Sequence, residues 1–108
     1  MNQLTLIEAV RALLTVATYI NEQIDPDEEA LYSIASIREG QNIAENLAME
    51  ATIVGRPLAE DAARQYVGNV IETAQWWFAY AESHGVGMPP DGDVRDAALT
   101  LLVIDNNL

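Results

Sequence analysis

The chain of 108 residues contains no cysteine and no lysine, and it has a single histidine. Without cysteine, disulfides, thiolate chemistry and Cys-based zinc sites are excluded, and folding needs no oxidising compartment. With His84 alone and no strained Ser elbow, nucleophilic catalysis has no set of partners to draw on. Walker-type and GxGxxG loops are missing. The five basic residues, Arg11, Arg38, Arg56, Arg64 and Arg95, are too scattered to build a nucleic-acid-binding patch. Long apolar runs are missing too. The start Met1-Asn2-Gln3 has no basic n-region, and Glu8 and Arg11 interrupt the first apolar stretch before signal-peptide or membrane-span length, so the expected location is the cytoplasm.

What the chain does have is acid. Seventeen Asp and Glu face five Arg for a net charge of −12, while half the residues are apolar. An acidic sequence that could not bury apolar area would stay disordered, but here apolar residues recur at helical spacing almost from end to end. The charge therefore sits on a surface built over a core. Such a surface repels phosphate backbones and anionic membranes and attracts basic protein surfaces from a distance. The length is that of one domain, able to bury roughly two-thirds of its unfolded surface.

The spacing predicts helices over 5–23, 26–54, 57–84 and 93–104 within one domain, 1–108. Thr5 and Glu8 have the spacing of a capping box. Behind them Leu6, Leu13 and Ile20, with Val10, Ala17 and Ile24, fall on one face. Asp25 reads as the N-cap of a second helix, with Pro26 at its first position and Asp27, Glu28 and Glu29 complementing the dipole. Its inward row is Leu31, Ile34, Ile37, Ala44, Leu47, Ala48 and Ala51, and Gly55 lies past its end. Gly40 inside it marks a close helix contact, a bend or a break.

Pro57 opens a third helix with the core row Leu58, Ala62, Tyr66, Val70, Ala74, Trp77 and Ala81, and Gly85 closes it. Its small first half and aromatic second half predict a bundle narrow at one end and wide at the other. Residues 85–90, with two glycines and two adjacent prolines, form a loop, and Asp91 or Asp93 caps the last helix. There Val94, Ala97, Ala98 and Leu101 share a stripe. Leu99, Leu102, Val103 and Ile104 add more apolar surface than one bundle face covers, which predicts a subunit interface, most simply a homodimer. The expected fold is an all-α, single-domain bundle of about four helices with antiparallel neighbours.

Three groups of residues are candidates for partner contact. The first is Asp25, Asp27, Glu28 and Glu29, already accounted for by helix capping. The second is Glu39, Glu45 and Glu50, which with Asn42 and Asn46 fall on adjoining rows of the second helix. Neighbouring rungs there are about 6 Å apart, close to the step between phosphates on one strand. The third is Trp76 with Tyr80. Trp76 and Trp77 must point about 100° apart, so Trp76 falls beside the core row, where an exposed aromatic can anchor an interface.

Metal chemistry finds no pattern. Glu82 precedes His84 by two residues, which is not the Glu-x-x-His of a di-iron bundle, and Asp91, Asp93 and Asp96 lack the glycine and closing glutamate of an EF-hand. The magnesium-binding Glu-Glu-x-x-Glu of helical nucleotide pyrophosphatases is broken by Tyr32 after Glu28-Glu29 and by Arg64 after Glu60-Asp61. No cofactor is expected, and His84 beside the helix end is accounted for by the dipole.

In size, acidity, helical content and lack of catalytic groups, the chain resembles small phage-encoded inhibitors of host defence, notably anti-CRISPR proteins. The likeness spans the whole chain as composition and pattern and rests on no motif. It implies a non-enzymatic inhibitor acting in the cytoplasm of an infected bacterium, binding a basic surface of a nucleic-acid-handling complex as a nucleic-acid mimic. The alternatives are a helical assembly subunit that oligomerises through its last helix and the Trp76/Tyr80 stripe, and a carboxylate- and magnesium-dependent nucleotide hydrolase.

Overall fold

The fold is that of a computed structural model describing residues 3–55 and 59–108. The described residues form four α-helices and no strand: α1 (Gln3–Gln23), α2 (Glu28–Val54), α3 (Glu60–Ser83) and α4 (Asp93–Asn106). The expected all-α, single-domain bundle is what forms. The helix starts at Pro57 and the core position at Leu58 lie outside the described residues.

The helices are not arranged as a square. α1 packs against α2, α3 and α4; α3 and α4 also touch, whereas α2 meets neither α3 nor α4 backbone to backbone. α1 is therefore an axle with three helices around it. That position demands a broad apolar face, and α1 buries Leu6, Ala9, Val10, Ala12, Leu13, Val16, Ala17 and Ile20. The predicted rows are inside apart from Ile24, which is half-buried, and Ala9, Ala12 and Val16 widen them. The radius of gyration of 14.2 Å slightly exceeds the ~13 Å usual for a compact chain of this length, and the long axis is 45 Å. α2 alone, with 27 residues at 1.5 Å each, accounts for about 40 Å of that.

The helix ends differ from the sequence expectation in three places. α1 begins at Gln3, so Thr5 lies within the helix rather than at its cap. α2 is capped by Asp27, not Asp25: the Asp27 carboxylate accepts from the Ala30 amide at 2.9 Å, and Pro26 lies before the cap. α4 has Gly92 at its N-cap, with φ 91° and no side-chain cap, so neither Asp91 nor Asp93 plays that part. The C-terminal ends follow the glycines. Gly55, at φ 69°, donates to the Ala51 carbonyl at 2.9 Å. After α3, Val86 donates to Ala81 at 2.9 Å and Gly85, at φ 72°, donates to Glu82 at 3.1 Å, the paired bonds of a Schellman turn. The Tyr19 hydroxyl lies 3.4 Å from the Gly87 carbonyl and ties the following loop to the end of α1, so α4 returns along its neighbours.

Several core assignments shift. Ala30 is buried where Leu31 was expected, and Leu31 is 52% exposed. On α3 the buried row is Ala63, Val67, Ile71, Ala74, Trp77 and Ala81, which leaves Tyr66 47% exposed. Ile104 belongs to the core with Ala97, Ala98 and Leu101, because it comes round to the α1-facing side one turn after them; it is not free for an interface between subunits.

Candidate interaction groove

Because α2 and α3 both lean on α1 while their backbones stay apart, a groove runs between them with α1 as its floor. The upper part, about 510 Å³, is floored by Val10 and Leu13 and walled by Ser33, Ile37 and Gly40 of α2 and Val70 and Thr73 of α3. The lower part, about 300 Å³, runs on past Ile43, Ala44 and Leu47 toward Leu6 and Tyr66. Val10, Gly40, Asn69 and Val70 line both parts, which makes the groove continuous.

Its upper end is propped by one side chain. The fully buried Trp77 sends its indole N–H 2.9 Å to the Ser33 hydroxyl and so bridges α3 to α2 beneath the groove. Trp76 is half-buried, stands edge-on to Trp77 with centroids 5.1 Å apart, and stacks on Tyr80 at 4.9 Å. Tyr80 continues the ladder to His84 at 4.3 Å. His84 caps α3, with Nδ1 2.8 Å from the Tyr80 carbonyl. A Cβ on Gly40 or Gly68 would meet nothing within 4 Å, so the missing side chains leave open space instead of a tight contact. α2 continues unbroken through Gly40.

Electrostatics divide the predicted acidic face. Glu29 and Glu72 line the groove from opposite walls, and among the described residues no Arg lines it. Glu50 lies seven residues beyond the lining Ile43, and Glu39 sits within about 40° of that row, so both stand on the outer rim of α2. Glu45 does not join them. It is turned about 120° away from Glu39 and takes the Arg11 guanidinium at 2.9 Å across the other edge of the α1–α2 contact. Arg64 is held by Glu60 at 3.5 Å, within α3.

The apolar stripe of α4 is a separate surface. Leu99, Leu102 and Val103 are 42%, 49% and 59% exposed, and α4 does not touch α2, so the stripe lies away from the groove. Among the described residues no group of three His, Cys, Asp or Glu is gathered closely enough to hold a metal ion, and no charged side chain is buried.

Of the predicted contact residues, then, Glu39, Glu50, Trp76 and Tyr80 belong to the groove and its upper margin, Glu45 faces elsewhere, and the α4 leucines form their own patch. Of the groove residues, the patterns placed Val10, Tyr66 and Val70 in the core and marked Gly40 as a close contact, a bend or a break, and they did not single out Ile43. The signal for the α2 wall was an excess of apolar residues beyond a core stripe one neighbour can cover, since the lining Tyr32 and Ile43 are 77% and 53% exposed. No family of known proteins, no curated protein and no solved structure matches this chain.

Proposed function

We propose that the chain is a non-enzymatic interaction protein, an inhibitor that presents the α2–α3 face to a basic surface of a nucleic-acid-handling partner, in the manner of the anti-CRISPR proteins it resembles. The observation that carries this reading is the groove: an apolar seat bordered by Glu29, Glu39, Glu50 and Glu72 and, among the described residues, lined by no cation, on a chain of net charge −12. Charge of one sign around an apolar seat gives fast, salt-sensitive encounter and slower release, the two properties an inhibitor needs. Mimicry of a phosphate strand is less well served, because Glu39 and Glu50 are eleven residues, about 16 Å, apart along α2 and Glu45 is off the face.

The test starts from partners recovered from bacterial lysate at low salt and lost at high salt, followed by association kinetics with a purified partner. Glu39→Gln with Glu50→Gln should slow association several-fold and flatten its salt dependence, since screening shortens from about 10 Å at 0.1 M to about 3 Å at 1 M. Glu45→Gln should leave the rate unchanged. Equal rates for all three proteins would remove the acidic rim from the contact.

The exposed Leu99, Leu102 and Val103 favour a second reading, an assembly subunit that pairs through α4. Light scattering at tens of micromolar should then give a dimer mass that Leu102→Glu converts to a monomer. A monomeric wild type would rule this reading out.

A further inference from the structure

We infer that the groove between α2 and α3 is the seat of a basic amphipathic helix, whose apolar stripe lies over Val10, Ile37, Gly40 and Val70 and whose Arg or Lys side chains reach Glu29 and Glu72. This rests on the interaction reading above and names the element the partner supplies.

Four observations converge on such an occupant. The lining runs from Glu29 to Leu47 along α2, about 27 Å, which is room for about five turns of helix. Both walls are helices, with their backbone groups already bonded along their own axes, so an extended peptide would find no sheet edge to pair with, whereas a helix needs only side-chain contacts. Among the described residues the two charged ones in the lining are both acidic and stand on opposite walls, where they complement cations flanking an apolar stripe on both sides.

Gly40 supplies the fourth. It weakens the interior of α2, yet no neighbouring atom within 4 Å requires the missing side chain. The vacant side faces the groove at its midpoint, where Gly40 lines the upper and lower parts alike. Its absent Cβ lets an incoming helix approach the α2 backbone closely.

A second copy of this chain fits less well. Its own exposed apolar stripe on α4 is flanked by Asp93, Asp96 and Asp105, which would be brought against Glu29 and Glu72.

The test uses a fluorescein-labelled synthetic peptide of about 18 residues, built from Leu, Ala and Arg with Leu at i, i+3, i+4 and i+7, together with its scrambled isomer and a version with Gln for Arg. Fluorescence anisotropy against the full chain should show the amphipathic peptide binding at least about ten-fold more tightly than either control. Gly40→Phe, which fills the groove without changing charge, should weaken binding about ten-fold or more at unchanged helicity, and Ser36→Trp on the exposed α2 wall gives the same reading if the Phe variant does not fold. Glu29→Gln with Glu72→Gln should weaken it several-fold and flatten the salt dependence.

If the scrambled peptide binds as tightly and neither groove-filling variant matters, the groove is overturned while the acidic-surface reading stands. If no Arg-containing peptide binds at low salt, both fall. If Gly40→Phe instead converts a dimer to a monomer in light scattering, the occupant is a second copy and the inference is overturned.

Discussion

α1 and α2 are both long amphipathic helices, yet they do different work. α1 meets three helices and buries eight residues, whereas α2 meets the backbone of α1 alone, with one side-chain bond from Trp77 of α3, and leaves Leu31, Tyr32, Ile43, Met49 and Ile53 largely in solvent. A helix with three neighbours spends its apolar surface on the fold. A helix with one backbone neighbour keeps apolar surface in reserve, and in this chain Tyr32 and Ile43 of that reserve line the groove. Stability should therefore be concentrated on α1 and binding on α2, two properties that can be separated by mutation.

The largest expected effect is on the axle. Ile20→Ala, at a fully buried position, should cost about 2–4 kcal/mol in chemical denaturation, while Leu31→Ala, at a position the periodicity placed in the core, should change stability by less than about 0.5 kcal/mol. Similar losses at both sites would break the contrast between the helices. A smaller effect of opposite sign is expected in α2: Gly40→Ala should raise stability by about 1 kcal/mol, because the Cβ meets no atom and the helix interior gains a better former. A loss on that substitution would mean that Gly40 serves the fold and not the groove. The smallest effect belongs to the pair that joins the two helices. Arg11 and Glu45 bond at 2.9 Å but their side chains are 61% and 40% exposed, so a double-mutant cycle should return no more than about 0.5 kcal/mol, and less in high salt.

The same contrast explains what could be read from the sequence. On α1 the heptad-spaced residues from Leu6 to Ile20 sit inside because a face that meets three helices is wide enough to tolerate small errors of angle. On α2 and α3 the stripe is narrower and the errors show. A row stepped by four residues each time, Leu58, Ala62, Tyr66, Val70 and Ala74, advances about 40° per step and spirals off the face, whereas the buried row from Ala63 to Ala81 mixes steps of three and four. A row stepped by three drifts the other way, which carried Leu31 out while Ala30 stayed in.

Caps were legible where glycine set them, as at Gly55 and Gly85, and not where two aspartates competed, as at Asp25 and Asp27. The aromatic pair divided as the 100° offset requires, Trp77 inside and Trp76 beside it. The groove itself was not legible, because it depends on the backbones of α2 and α3 staying apart, a property of the arrangement and of no single helix.

The central placement of α1 also bears on how the chain comes to fold. Of the four helices, the one that the others pack against is made first, and its last partner, α4, begins at Asp93, seventy residues after α1 ends at Gln23. Until α4 arrives, part of the apolar face of α1 has no cover. Closing so long a loop is slow compared with forming the helices themselves. Removal of α4 would strip the axle along its length rather than trim an end, so the chain is expected to fold late and as one unit, with the growing polypeptide holding an uncovered apolar helix while the remainder is synthesised.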